Sequence, residues 1–198
     1  MSVVLRTYKL KSHANKSKDD LIVEVVRNYR KLAKKISDLQ WNIFYSTNNS
    51  KFNKNLDIKH VETVLSERYK QTCQYQTVGM LKSYLANTKI RFKDMVLHSN
   101  LSDEQKIKLY YINKYEKWHC KEVLMKGELI DDYTLLLARK IFKKLTKNKP
   151  SFNHINLVLD FKVAEIKESK SDKTDFNYWV NLSTCMKGKK ILIPLMEQ

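Results

Sequence analysis

The chain has 198 residues, with 38 Lys and Arg set against 21 Asp and Glu, giving a formal charge of +17. That length can hold one large or two small domains, and 42% hydrophobic residues suffice for a core, so the 30% charged fraction does not impose disorder. Three dispersed glycines exclude a phosphate-cradling or dinucleotide loop, and no apolar run reaches the ~20 residues of a membrane span.

The cationic surplus points to a polyanionic partner, because Lys and Arg displace condensed counterions from phosphates. Cys73, Cys120 and Cys185 show no paired spacing, and the start of the chain is not signal-like. Free thiols in a reducing cytoplasm are expected, and no partner in a membrane. His119-Cys120 has no second pair to complete a metal site.

Taken in order, Val3 to Leu10 (VVLRTYKL) alternates as a strand does, and the polar segment 11–18 (KSHANKSK) predicts a loop. Asp19-Asp20 suit a helix start. Ile22, Tyr29, Ile36 and Ile43 recur every seven residues with Val25, Leu32 and Leu39 between them, an apolar stripe along about six helical turns. Arg27, Arg30, Lys31, Lys34 and Lys35 lie largely off that stripe. Such a run is either a solvated face or a phosphate-facing one, and the scarcity of acids at i,i+4 favours the second.

Asn- and Ser-rich residues 46–55 end the helix, and a second helical region is predicted from Asp57 with Val61, Val64 and Leu65. In YKQTCQYQT, Gln71, Gln74 and Gln76 are interleaved with Tyr69 and Tyr75. Gln can bond bidentately to adenine and aromatic rings can stack on bases, although Gln is also common on plain helix surfaces. The helix continues through Leu81, Leu85, Phe92 and Val96, with Lys82, Lys89, Arg91 and Lys93 opposite.

Ser102 and Gln105 have capping-box spacing and open a helix that Ile107, Tyr110, Tyr111, Tyr115 and Trp118 make aromatic on one side, a stripe that is more often core than a platform for bases. Gly127 marks a break. Asp131-Asp132 start another helix through Leu135, Leu136, Ile141, Phe142 and Leu145. Its end carries Arg139, Lys140, Lys143, Lys144, Lys147 and Lys149, the densest basic patch in the chain, before Pro150 forbids continuation. From Ile155 the alternation of Leu157, Leu159, Phe161 and Val163 predicts a strand reaching Ile166. A charged loop, 167–174, leads into FNYWVNLSTCMKGKKILIP, a hairpin turning at Lys187-Gly188-Lys189. Trp179 lies on its more polar face and needs a neighbouring sheet or a stacked partner, and Pro194 fits a strand end or edge.

The expected fold is α+β: a small β-barrel-like domain of residues 1–12 and 151–198, with a mostly helical domain, 13–150, inserted. No catalytic set emerges. Asp160 is the only tempting carboxylate for a two-metal nuclease, and His13, His60, His98, His119 and His154 share no triad spacing.

The hairpin YWVNLSTCMKGKKILIPL resembles the strand pair that closes the wedge domain of TnpB-type transposon nucleases and the related type V CRISPR effectors. The single N-terminal strand followed by a long basic helical region is similar to that architecture too. The resemblance implies a wedge that holds a guide RNA scaffold and an inserted recognition domain that cradles the guide–target duplex through its backbone. In that family a RuvC-like nuclease domain follows the hairpin and carries the Mg²⁺. This chain is therefore expected to be no enzyme by itself and to hold no cofactor, with guide RNA, target DNA and a RuvC-like nuclease chain as partners. A bacterial or archaeal cytoplasm, close to the nucleoid, is implied.

Backbone contacts are expected from Lys9, Lys11, Arg27, Arg30, Lys31, Lys34, Lys35, Lys89, Arg91, Arg139, Lys140, Lys143, Lys144 and Lys147. Base contact or stacking is expected from Gln71, Gln74, Gln76, Lys82, Tyr75 and Trp179. Other readings stay open: a nuclease-less RNA- or DNA-binding regulator, one piece of a split effector, or a helical protein-interaction module with an acidic partner.

Overall fold

In the computed structural model, residues 9–46, 51–169 and 175–197 are described. They make an α+β protein of two units: Met1–Ala33, Ile58–Gln74 and Phe152–Gln198 in the first, Lys34–Asp57 and Tyr75–Ser151 in the second. Helices α1 (Lys16–Ser46) and α2 (Glu67–Leu97) contribute residues to both.

The first unit holds a four-stranded antiparallel sheet. It is built from β1 (Leu10–Ser12), β4 (Ala164–Glu168), β5 (Tyr178–Ser183) and β6 (Lys190–Glu197) in the order β1-β6-β5-β4. Among the described residues this sheet is open, with β1 and β4 at its edges. Most of the predicted first strand, residues 3–8, lies outside the described residues. Leu182, Ile191 and Ile193 form the core of one face, against which Leu21 and Ile22 of α1 pack. On the other face Trp179 is flanked in register by Lys167 and Pro194, and Phe176 meets its ring edge-on at 5.7 Å and 74°. The contact is edge-on rather than the stacking expected of a partner for Trp179, and it comes from a residue just before β5.

Pro194 lies inside the central strand β6, which runs on to Glu197, rather than at a strand end or edge. In an antiparallel ladder a hydrogen-bonded pair exchanges two bonds. His13 donates its N–H to the Pro194 carbonyl at 2.9 Å, but proline has no N–H to return. It is the neighbouring strand that stops, with β1 ending at Ser12.

Three further departures from the pattern have local causes. Helix α1 starts at Lys16, inside the predicted loop, because the Asn15 side chain accepts the Lys18 N–H at 3.1 Å and caps the first turn. The predicted helix from Asp57 is absent: residues 57–66 turn instead, and α2 begins after Ser66, whose carbonyl accepts the Lys70 N–H at 3.0 Å. No strand covers 155–163, although the sequence alternates there. Asp160 makes a turn, its Oδ1 accepting the Lys162 N–H at 3.0 Å and its carbonyl the N–H groups of Val163 and Ala164. Phe161 is left 75% exposed, so the alternation reflects no buried face. The same Asp160 carboxylate holds the Arg68 guanidinium, which also donates to Gln71.

Tyr29 and Tyr69 meet edge-on in this unit at 6.5 Å, and the Tyr69 hydroxyl donates to the Ser183 carbonyl at 2.8 Å. Burial pushes the Tyr29 phenol up to about 12, with Cys73 adding to the shift.

The second unit is helical, with α3 (Asp103–Lys114), α4 (Asp132–Leu145) and a two-residue-a-strand hairpin of β2 (Leu124–Met125) and β3 (Glu128–Leu129). Its core is aromatic: Trp41, Phe44, Phe52, Phe92, Trp118 and Phe142 are all buried. Ser102 and Gln105 form the predicted capping box of α3. The hairpin turns at Lys126 and Gly127, both at positive φ (53° and 89°), which the lone Gly127 signalled only as a break. Gln40, buried, exchanges two bonds with the Asn53 backbone at 2.7 and 2.9 Å and so holds the chain that follows α1.

Asp131 caps α4, its Oδ1 accepting the Thr134 N–H at 2.8 Å, and that bond holds its carboxyl below the usual carboxylate range. A carboxyl lowered on folding adds stability above its unfolded pKa and loses it as pH falls through the folded value. Asp131→Asn should therefore be less stable than wild type near neutrality, with the gap closing below about pH 4. Urea midpoints measured from pH 7 to pH 2.5 check this, and a pH-independent gap is the contrary result.

Candidate nucleic-acid interface

Helix α4 builds the densest cationic surface. Thr134, Leu135, Ala138, Phe142 and Leu145 are its buried positions, spaced to occupy one side. Arg139, Lys140, Lys143 and Lys144 are offset from these by the helical period and, with Lys147 just past the helix, line a cleft of about 800 Å³ together with Tyr45, His119 and Thr146. Phe142 fixes the rotation of the helix. Its ring stacks on Trp118 at 4.3 Å and 19° and runs parallel to Phe44 at 6.0 Å and 14°. The Tyr84 hydroxyl lies within donating distance of the Asn148 (2.9 Å) and Leu145 (3.2 Å) carbonyls and ties down the end of α4.

Lys140, Lys143, Lys144 and Lys147 are exposed, and none pairs with a carboxylate among the described residues. Arg139 is half-buried and donates to the Cys120 carbonyl at 2.7 Å, so it serves as a wall as well as a charge. His119 is ringed by Phe44, Tyr45 and Phe142. Burial, reinforced by Arg139, lowers its pKa, which favours the neutral imidazole.

The other predicted cations divide by what they touch. Lys9, Lys11, Arg27, Lys31, Lys34, Lys35, Arg91 and Lys82 are exposed. Arg30 donates to the Ile155 carbonyl at 3.0 Å and keeps its charge, whereas Lys89 pairs with Glu116 at 2.9 Å and offers a phosphate no unshared charge. Lys82 and Lys89 share a shallower hollow with Lys51, Phe52 and Ile90.

The residues predicted to read bases fall in both units. Gln71 and Gln74 belong to the sheet-bearing unit, and Tyr75, Gln76 and Lys82 to the helical one. Gln71 accepts from Arg68, and Gln74 is 5% exposed, which takes its amide out of reach of a base. Tyr75 remains exposed, whereas Gln76 and Trp179 are half-buried.

A second basic hollow, about 520 Å³, went unnoticed in the sequence. It lies in the sheet-bearing unit, where the β5–β6 connection brings Lys187, Lys189 and Lys190 to one rim with Lys162 and Arg68. Gly188 at φ 76° turns the loop, and Thr184 braces it, its Oγ1 donating to the Lys189 carbonyl at 2.9 Å. The Lys-Gly-Lys-Lys run was visible as a turn; Lys162 joins it only through the Asp160 turn, which leaves no periodic signal. Among the described residues no group of His, Cys, Asp and Glu could hold a metal ion, and no helix is long and apolar enough to cross a membrane.

Because its amide is buried, Gln74→Ala should lower stability by roughly 1–3 kcal/mol while leaving nucleic-acid affinity unchanged. Urea midpoints and RNA binding isotherms read the two effects separately, and a selective loss of affinity would return Gln74 to the interface.

No protein-family model, curated protein or solved structure matches this chain.

Proposed function

We propose that the chain binds nucleic acid through the sugar–phosphate backbone, as the recognition half of an RNA-guided DNA-targeting protein. The observation that carries the binding is the α4 cleft, where five cations converge and the four lysines lack an acidic partner among the described residues. Like charges gathered this closely repel one another, and a polyanion relieves that repulsion while releasing its own counterions.

The RNA-guided part rests on the hairpin resemblance. The β5–β6 pair supports it by presenting Lys187, Lys189 and Lys190 at its connection, a surface suited to a guide RNA scaffold. In this reading the open sheet corresponds to a barrel-like wedge, and the helical unit cradles the guide–target duplex by its shape, leaving sequence to base pairing. Cleavage belongs to a RuvC-like domain outside these residues, with its Mg²⁺.

The test is a salt titration of RNA binding. With ~6–10 phosphates neutralised, affinity should fall by roughly three to five decades between about 50 and about 200 mM salt. A flat profile would favour an acidic protein partner instead. Changing Lys140, Lys143, Lys144 and Lys147 together to Glu should weaken binding, and it should flatten the slope by about 3–4 if all four meet phosphates. Unchanged binding by that variant, folded by circular dichroism, removes the cleft from the interface.

A further inference from the structure

A surface that only grips phosphates needs neither depth nor an aromatic floor, and the α4 cleft has both. Its volume, about 800 Å³, is in the range of sites that enclose small organic molecules. Tyr45 is 43% exposed, although its neighbours on α1, Trp41 and Phe44, are fully buried. The ring is nonetheless fixed. Trp41 stacks against it at 5.5 Å and 21°, while Phe44 and His119 meet it edge-on at 5.4 and 5.1 Å. Lys149 adds a cation 5.9 Å from its centroid.

His119 contributes a second feature. Its Nε2 is buried and has no hydrogen-bond partner among the described residues, although the residue lines the cleft. A buried polar atom without a partner carries a desolvation cost that a ligand's own donor or acceptor can remove. The cleft thus joins a pre-ordered aromatic floor, one unsatisfied ring nitrogen and a rim of lysines. A planar, polar-edged body attached to anions satisfies all three.

We infer that the cleft takes one unstacked nucleotide of an RNA strand. The base lies against Tyr45 with an edge toward His119, and its flanking phosphates reach Lys140, Lys143, Lys144 and Lys147. This rests on the backbone-binding reading above and goes beyond it, because a continuous duplex keeps its base faces stacked and hidden while a bulged or single-stranded nucleotide exposes them. Tyr45 comes already held, so little side-chain freedom is lost when a base stacks on it.

The experiment compares two RNA hairpins, one fully paired and one carrying a single bulged 2-aminopurine. Wild-type protein should prefer the bulged RNA and change its 2-aminopurine fluorescence on binding. Tyr45→Ala should weaken the bulged RNA by about tenfold or more, as base–aromatic stacking requires, and the paired RNA far less. Tyr45→Phe should recover most of the loss, and urea midpoints show whether each variant is folded. His119→Ala, with the three rings beside it retained, should also weaken the bulged RNA selectively. Equal losses on both RNAs, or no preference by wild type, overturn the inference. If wild type binds both RNAs alike and the four-Glu variant binds neither, backbone binding survives without the nucleotide pocket. If wild type binds neither RNA, both fall together.

Discussion

The stacking of Phe142 on Trp118 decides which way helix α4 faces. A helix that must keep Thr134, Leu135, Ala138, Phe142 and Leu145 inward has no freedom in where it sends positions 140, 143 and 144. The rings stand 4.3 Å apart, and Phe44 runs parallel at 6.0 Å, so the helix is located by large, stiff side chains with few alternative packings. The cationic surface is a by-product of that packing in one sense: each lysine is outward because an apolar neighbour is inward.

Composition gave the surplus of positive charge, but only the fold says which charges are available. Lys89 and Arg68 are paired with Glu116 and Asp160, and Lys70 is buried against Glu67. Of what remains, one set lines a hollow in each unit, while Lys9, Lys11, Arg27, Lys31, Lys34, Lys35 and Arg91 are exposed outside both.

Long-period signals proved legible and short-range competitions did not. The seven-residue repeat of α1 marks a face that is buried at Val25, Tyr29, Leu32 and Ile36, and the Ser102–Gln105 and Asp131 caps lie where their spacing puts them. Gly188 turns the hairpin as expected. By contrast, Asn15 pulls the start of α1 into a polar stretch, and Asp160 converts an alternating run into a turn, because in each a side chain bonds the backbone two or three residues on. The cleft itself was half legible. Its lysines stand out as a run, whereas Tyr45 and His119 come from distant segments and reach it only through the aromatic core.

The missing proline N–H has a consequence for how the sheet opens. Among the described residues, strands β5 and β6 share six register pairs, but β1 is joined to β6 by three, plus the one-way bond from His13. Opening free energy scales with what must be broken, so the β1 edge sits at the low end of the protein's local stabilities while the β5–β6 ladder stays closed. A lone imino acid in the middle of a central strand thereby leaves the sheet with one edge that can peel away from a seam that holds.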